Sequence, residues 1–413
     1  MRRVFVTGVG VVSSLGFGRE AFWDALTAGR SAASPIEGFD ASDLDRNIAC
    51  EVKGFRPRDF LTAAETRRAG RCSQMALAAA RMAVQDADIA DVDLGGPRTA
   101  VIIGTTMGEA NVLGQLESTW IHKGQHEIVP PMLARYGTTL LPIHIARAFG
   151  ARGMVQSMPA ACAAGNYAIG YAADQIRAGR ADVAISGAAE VIEKLQFAGF
   201  ARLGAIAPDR CRPFDQERRG LLVGEGAGIL ILESEESVVR RGATVLAEVG
   251  GYGLACDAHH ITRPHPEGEG SAKAMLQAIE TSGMTPDRVG YINAHGTGTD
   301  ANDKVETKVI QQIFGDTQPL VTSVKSMLGH CMGAASAIEA VSCVLTLQDG
   351  IVPPTINYEN PDPECRVNLV ANEALRANPD FVLNNALAFG GYDAVVGFAK
   401  PGVLPDPGAR ASA

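Results

Sequence analysis

The sequence lacks the long hydrophobic runs and paired cysteines that mark several protein classes. Its opening apolar stretch, residues 4–12, is too short and too interrupted by glycine for a signal peptide or a membrane span, so we expect a cytoplasmic protein without a membrane partner. Eight cysteines are scattered over 413 residues with no CxxC pair. This argues against a disulfide framework and against structural zinc.

Positive charge is also scarce. Lysine and arginine number 37 against 46 aspartates and glutamates, and the net charge of −9 argues against general nucleic-acid binding. The segment Gly8-Val9-Gly10 starts a dinucleotide-binding motif, but no complete GxGxxG follows and the next helix lacks the fitting acidic residue. A dinucleotide-binding enzyme is therefore a weak alternative.

What is present fits a soluble globular protein. Apolar residues make up 46% of the chain and charged residues 20%, and the length exceeds what one hydrophobic core normally serves. Strand patterns alternate with helix patterns, which predicts α/β layers. Residues 64–87 have helical periodicity. Residues 106–150 are polar and irregular with one predicted helix near 140–149, and we expect them to serve an interface or a cleft.

Two stretches follow one plan. A strand at 154–159 leads through Cys162 into a helix near 163–178, and a strand at 320–323 leads through a loop with His330 into a helix near 333–348. In both stretches the helix is followed by further strands. We predict two fused halves, at 1–245 with the nucleophilic cysteine and at 246–405 with the histidine pair, followed by a loose tail at 406–413.

The thiol of Cys162 is a candidate nucleophile. It lies in the turn Pro159-Ala-Ala-Cys-Ala-Ala-Gly165 before a predicted helix. A helix N-terminus stabilises a thiolate through its free N–H groups and its dipole. The other seven cysteines are expected to be buried small apolar residues.

Two histidines lie in glycine-bearing segments. His295 follows a buried strand and precedes Gly-Thr-Gly-Thr, and His330 lies between Gly329 and Gly333 where a helix begins. Singly, each could equally be a structural histidine. With Cys162 they form three groups at strand-to-loop ends of a layered sheet, where such folds place their sites. A thiol and two imidazoles suit acyl transfer through a thioester.

These segments resemble those of the β-ketoacyl-acyl carrier protein synthases, condensing enzymes of the thiolase fold. The resemblance spans nearly the whole chain. It includes Val-Thr-Gly-Val-Gly near the start and five further motifs at 212–215, 224–228, 257–262, 302–307 and 357–363. It implies an α/β fold of duplicated halves in a five-layered α-β-α-β-α sandwich, and a decarboxylative condensation that needs no cofactor beyond substrates carried on the phosphopantetheine of an acyl carrier protein.

The resemblance also assigns roles. Cys162 would hold the acyl chain, while His295 and His330 bind the malonyl thioester and the ion pair Lys325–Glu339 orients the rings. The N–H groups of Cys162 and Phe389 would form the oxyanion hole. Larger implied sets are pantetheine contacts at Thr262, Thr297, Thr299, Phe389 and Gly390; carrier docking at Arg67, Arg68, Arg71, Arg202, Arg210 and Arg212; and a structural cation, or simply a hydrogen-bond network, at Asn293, Glu339, Asn384 and Asn385.

The chain departs from the family pattern around the acyl pocket. Met158-Pro159 precede the nucleophile, Asn166 and Tyr167 follow it, and Tyr392-Asp393 replace the usual Thr-Asn of the gate loop. We therefore expect a type II polyketide or polyene pathway, with housekeeping fatty-acid synthesis as the alternative. A non-catalytic chain-length-factor-type subunit and a coenzyme A-dependent thiolase or initiation enzyme are disfavoured by the Cys–His–His set. A homodimer and a heterodimer with a chain-length-factor-like subunit both stay open.

Overall fold

The computed structural model describes residues 2–406, with backbone alone at Asp91 and Val92. Apart from Asp406, the predicted tail at 406–413 lies outside these residues. The strands are β1 Val4–Ser13, β2 Gly16–Phe17, β3 Ser34–Pro35, β4 Ile48–Ala49, β5 Thr99–Gly104, β6 Val155–Met158, β7 Val183–Glu190, β8 Gly226–Ser234, β9 Ala247–Cys256, β10 Tyr291–Asn293, β11 Leu320–Thr322, β12 Ile351–Val352, β13 Leu375–Arg376, β14 Phe381–Ala388 and β15 Tyr392–Ala399.

The α-helices alternate with these strands, as the sequence pattern predicts. They are α1 Arg19–Thr27, α2 Ala63–Arg68, α3 Arg71–Asp86, α4 Asp91–Leu94, α5 Ala110–Lys123, α6 Pro130–Leu133, α7 Leu140–Phe149, α8 Ala164–Arg177, α9 Lys194–Arg202, α10 Glu235–Arg241, α11 Glu269–Thr281, α12 Asp300–Phe314, α13 Lys325–Leu328 and α14 Ala335–Asp349. Within residues 2–406, no helix is both long and apolar enough to cross a membrane.

The main sheet repeats one strand order. It runs β11-β10-β14-β15-β9-β1-β8-β7-β5-β6. The first half contributes β1, β5, β6, β7 and β8, and the second contributes β9, β10, β11, β14 and β15. If each set is numbered 1 to 5 in chain order, both halves have the order 3-2-4-5-1 from the outer edge to the centre of the sheet. The pattern of parallel and antiparallel pairs is also the same in both halves. The halves meet where β1 pairs with β9 over two residue pairs. The predicted boundary at residue 245 stays a prediction.

The helices form three layers around these two half-sheets. α8 and α14 contact each other and strands of both halves, so they lie between the half-sheets. α3 and α7 cover the first half from outside, and α11, with α12 against it, covers the second. This is the five-layered sandwich that the resemblance implies, and the fold prediction is confirmed.

The backbone repeats the duplication at the start of both central helices. Ala161 and Met332 have φ values of +45° and +46°, and each begins a 3-10 turn that leads directly into α8 or α14. Positive φ is unfavourable for residues with a side chain. The same strained step at corresponding positions indicates that both halves hold their central helix in one way.

Three local predictions were wrong. Residues 106–150 contain the fourteen-residue helix α5, whose apolar side chains are partly left on the surface, so that its periodicity is weak. The single helix predicted over 64–87 is two helices, interrupted at Ala69 and Gly70. Cys256 is exposed at the end of β9, whereas the other six cysteines expected to be buried are buried.

Candidate active site

Cys162 and His330 meet although they are distant in sequence. Cys162 lies in the 3-10 turn before α8 and is 7% exposed. His330 lies just before the matching turn of α14, and its Nε2 is 3.1 Å from the Cys162 Sγ. The packing of the two central helices therefore places the sulfur and the imidazole in contact.

His295 completes the cluster that the sequence predicts. Its ring centroid is 5.3 Å from that of His330, and the two planes stand at 85°. The segment after β10 is held by Glu306 of α12, which accepts from the N–H groups of His295 and Gly296 at 2.8 Å each. Two imidazoles of different orientation thus face one small volume beside the sulfur.

The predicted ion pair is present and buried. Lys325 Nζ lies 2.5 Å from Glu339 Oε1, and the two side chains are 1% and 3% exposed. Among the described residues, the Lys325 ammonium donates to Glu339 and to neither histidine ring. Lys325 therefore acts on the two rings through its positive charge and not through a hydrogen bond. Burial first, and then the Lys325 charge, lowers the pKa of His295 and His330 far below the usual range. Both rings are therefore neutral at pH 7.

The state of the thiol corrects one expectation. Burial raises the pKa of Cys162 to about 12, although the Lys325 charge and hydrogen bonds from the Phe389 and Cys162 N–H groups act in the lowering direction. Desolvation of the anion therefore outweighs the stabilising effect predicted for a helix start. The resting sulfur is a thiol, and its proton must leave during attack.

Phe389 occupies the turn between β14 and β15. Its N–H points at the Cys162 sulfur, and its ring stacks on Phe200 of α9 at 5.7 Å and 29°. The two N–H groups expected to form the oxyanion hole therefore lie at the same atom. Their catalytic role stays a prediction.

A cavity of about 480 Å³ leads to this cluster. It is lined by Cys162, both histidines and Phe389, and by three hydroxyl residues predicted to contact pantetheine, Thr262, Thr297 and Thr299. The hydroxyls of Thr297 and Thr299 are 2.8 Å apart. Gly390 lies outside the lining, and its N–H instead donates to the Ile261 carbonyl at 2.7 Å.

Two carboxylates of α12 support the site and were missed as functional residues. Besides Glu306, Asp303 accepts from the N–H groups of Phe214 and Gly298, at 2.8 and 3.2 Å. Burial raises the pKa of Asp303 to about 6. Both acids belong to the motif at 302–307, and their three-residue spacing on a helix that follows a glycine-rich loop was the available signal.

The set proposed for a cation is largely engaged in hydrogen bonds. Asn293 donates to Asn384 Oδ1 at 3.0 Å, and Asn384 donates to Asn166 and to the Ser336 carbonyl. The oxygens left without a partner among the described residues are Glu339 Oε2 and Asn385 Oδ1. The network therefore accounts for half of the set, and cation binding stays a prediction.

The six arginines predicted to dock a carrier protein fall into two groups. Arg71 bonds to the buried Glu225 at 2.6 Å, while Arg210 and Arg212 pair with Asp209. The other three are exposed and form no ion pair with another described residue: Arg67, Arg68 and Arg202.

Comparisons with known proteins agree with this geometry. Family models described as "Beta-ketoacyl synthase, N-terminal domain" and "C-terminal domain" match residues 1–237 and 246–359. The chain is 39% identical to 3-oxoacyl-[acyl-carrier-protein] synthase 2 of Synechocystis sp., covering 97% of this chain and 98% of that one. It is 38% identical to nodulation protein E of Rhizobium leguminosarum bv. trifolii, with 97% and 99% covered.

Solved structures give the same picture. The ishigamide ketosynthase/chain length factor superposes with a TM-score of 0.94 at 44% identity, covering 97% of this chain and 100% of that chain. A type II polyketide ketosynthase structure that includes its acyl carrier protein superposes with a TM-score of 0.87 at 33% identity, covering 97% and 99%.

Proposed function

Because the chain belongs to the β-ketoacyl synthase family and is an acyltransferase of the 3-oxoacyl-acyl carrier protein synthase type, we propose that Cys162 carries the growing acyl chain. Malonyl-acyl carrier protein then extends it by two carbons. The observation that carries this assignment is the 3.1 Å contact between Cys162 Sγ and His330 Nε2, with His295 beside it in one cavity.

The first half-reaction loads the acyl group. The sulfur of Cys162 attacks the carbonyl of an acyl-pantetheine thioester as its proton passes to His330, the ring nitrogen within reach. The negative oxygen of the tetrahedral intermediate accepts from the N–H groups of Cys162 and Phe389. The pantetheine sulfur then leaves and takes up the proton. A thiol with a pKa of about 12 requires this coupled transfer because the free thiolate is rare at pH 7.

The second half-reaction forms the carbon–carbon bond. The malonyl thioester loses carbon dioxide, and the electron pair of the broken carbon–carbon bond forms an enolate. The enolate oxygen accepts hydrogen bonds from the rings of His295 and His330. Neutral imidazoles suit this role because they donate without a full charge. The enolate carbon attacks the Cys162 thioester, the sulfur leaves and takes one proton from solvent water, and a 3-oxoacyl thioester two carbons longer is released.

A specialised polyketide or polyene pathway is the finer proposal. The 44% identity to a chain of the ishigamide ketosynthase/chain length factor supports it, and so do the changed residues near the pocket, where Tyr167 and Tyr392 pack edge to face at 6.0 Å. A purified enzyme that extends ordinary fatty acyl chains of many lengths with equal efficiency would contradict this pathway and favour fatty-acid synthesis.

A protein partner fits the face around the outer edge strand β6. Exposed apolar side chains gather on β6 and on the segment before it: Met107, Leu113, Trp120, Ile121, Val129, Leu133, Tyr136, Ile143, Met154 and Val155. An unpaired strand edge with apolar surroundings favours an interface. We propose that a second subunit binds here. The ishigamide ketosynthase and one from Xenorhabdus doucetiae are each described with a chain length factor, which favours a heterodimer.

Carrier docking is proposed for the exposed arginines near the cavity mouth. Arg202 and Arg219 line a second cleft that shares Gly204 and Arg219 with the main cavity. Arg202→Glu should raise KM for an acyl carrier substrate about tenfold or more. It should leave the rate with a small acyl thioester within twofold. Arg376→Glu, an exposed arginine that lines neither cavity, is the matched control, and an equal effect of both substitutions would refute the docking site.

Mass spectrometry of the intact enzyme tests the central proposal. Incubation with candidate acyl carrier thioesters should add one acyl group at Cys162. Cys162→Ala should abolish this acylation, and Cys256→Ala, which removes the exposed thiol, should leave it intact. Absence of acylation by every donor would favour the non-catalytic partner subunit instead.

A further inference from the structure

Two carboxyl groups, Asp257 and Asp393, face each other beside the turn that carries Phe389. Asp393 lies in β15 and is 3% exposed, and Asp257 is partly buried just after β9. Asp257 Oδ1 and Asp393 Oδ2 have no hydrogen-bond donor among the described residues. A Cβ built on Gly270 would overlap both oxygens, so they converge on one point above the start of α11.

This contact requires a proton. An ionised carboxylate only accepts hydrogen bonds, so two of them can bond to each other only when one is protonated. The two side chains lie within hydrogen-bonding reach of each other. Burial first, and then the charge and hydrogen bond of Asp257, raises the pKa of Asp393 to about 8. At pH 7 the pair therefore holds one proton.

Within residues 2–406, no neighbouring cation is found to offset the charge of Asp393. Besides Asp257, the charge that acts on it is that of Glu306 on α12, which is also negative. The rings of Tyr167 and Tyr392 pack edge to face nearby, and burial, followed by the charges of Tyr392, Asp393 and Cys256, raises the pKa of Tyr167 to about 12.

The loop that carries Asp257 lines the main cavity, and so do the two acids, Asp257 and Asp393, themselves. Asp257 Oδ2 accepts from the His265 N–H at 2.8 Å. Arg263, the cation of this loop, lines the cavity, and the ring of His265 packs against His259 at 5.0 Å.

The acid pair joins the turn to this loop. The Asp257 N–H donates to the Gly391 carbonyl at 2.9 Å, and the Gly390 N–H donates to the Ile261 carbonyl at 2.7 Å. Between these contacts and β14 lies Phe389, whose N–H points at the Cys162 sulfur. The position of that donor therefore depends on the contact between the turn and the loop at 257–262.

We propose that Asp257 and Asp393 are positioning residues that share one proton and thereby hold the Phe389 turn against the loop, in place for acyl transfer; this inference rests on the proposed function. When the proton is lost, two facing carboxylates repel each other and the donor shifts. The pKa of Asp393 is higher when the turn is held against the loop. This contact is therefore fully formed at low pH, and it weakens as the pH rises towards about 8.

The rate of Cys162 acylation by the hexanoyl thioester of N-acetylcysteamine tests this proposal between pH 7 and pH 9. The small donor avoids carrier docking. The comparison is the ratio of the wild-type rate to the Asp393→Asn rate, because the titration of Cys162 is common to both and cancels. The amide introduced by Asp393→Asn supplies a hydrogen-bond donor that does not titrate. With a pKa of about 8, linkage limits the fall in this ratio to about tenfold over the range.

We expect a fall of severalfold, up to that limit. A ratio that stays constant or rises with pH overturns the proposal. Asp257→Asn should reproduce the same fall and serves as the second variant should Asp393→Asn fold poorly. Asp316→Asn removes an exposed carboxyl after α12, and its ratio should stay at one. A wild-type enzyme that is not acylated at any pH refutes the proposed function, and this inference with it.

Discussion

Substitutions in the buried Lys325–Glu339 ion pair should affect thermal stability and catalysis differently. Replacing Lys325 with Met leaves the buried carboxylate of Glu339 without its cation. Breaking a buried pair on one side typically costs about 3–5 kcal/mol. A chain of 413 residues has an unfolding entropy of about 0.9 kcal/mol per kelvin. The melting temperature should therefore fall by about 3–6 °C.

The double variant Lys325→Met/Glu339→Leu should recover most of this loss. It replaces both charges with apolar side chains of similar volume, so no uncompensated charge stays buried, and such replacements are often neutral. Calorimetry of the wild type, both single variants and the double variant completes the cycle.

Catalysis should not recover with stability. The Lys325 charge lowers the pKa of Cys162 and of both histidines, and it is missing from the single lysine variant and from the double variant alike. Each unit by which the thiol pKa rises reduces the thiolate tenfold. Acylation of Cys162 should therefore stay slower than in the wild type in both variants, by about tenfold for each unit of that rise. A double variant with wild-type acylation would refute the electrostatic role and leave the pair a structural one.

Three further predictions follow from the site. Alkylation of Cys162 by iodoacetamide, followed by peptide mapping, should rise about tenfold per pH unit from pH 7 to 9, and a plateau below pH 9 would contradict a pKa of about 12. His295→Ala should impair malonyl decarboxylation more than acyl loading, whereas His330→Ala should impair both, because only the latter ring contacts the sulfur; equal effects of both would contradict these roles. Gly165→Ala should cost about 1–3 kcal/mol, since its Cβ would lie 2.5 Å from Ala337 N, while Gly199→Ala in open space should not destabilise; equal melting temperatures would refute the packing argument.

The sequence predicted a site residue correctly where that residue lies in a short segment of distinctive composition. Cys162, His295 and His330 each stand in a short segment whose glycines and strand signals predict a strand end, and these three residues come together. The strand order could not be read, because pairing depends on contacts between distant segments. The duplicated pattern predicted two halves, and the sheet shows how they join.

Burial was the quantity that sequence predicted least well. Arg71 stands three residues after Arg68 and looks equally exposed, yet Glu225 from another part of the chain draws it inwards. The thiol pKa went against expectation for the same reason, since desolvation depends on everything packed around Cys162. The acid pair of Asp257 and Asp393 likewise exists only because β9 and β15 are neighbours.

The close backbone contact of α8 and α14 has an evolutionary consequence. Gly165 approaches the backbone of Ala337 so closely that the two main chains fix the separation of the turns that carry Cys162 and His330. The loops around the cavity therefore do not have to maintain this separation. Substitutions in those loops can change which acyl chain the cavity accepts while the two turns keep their separation.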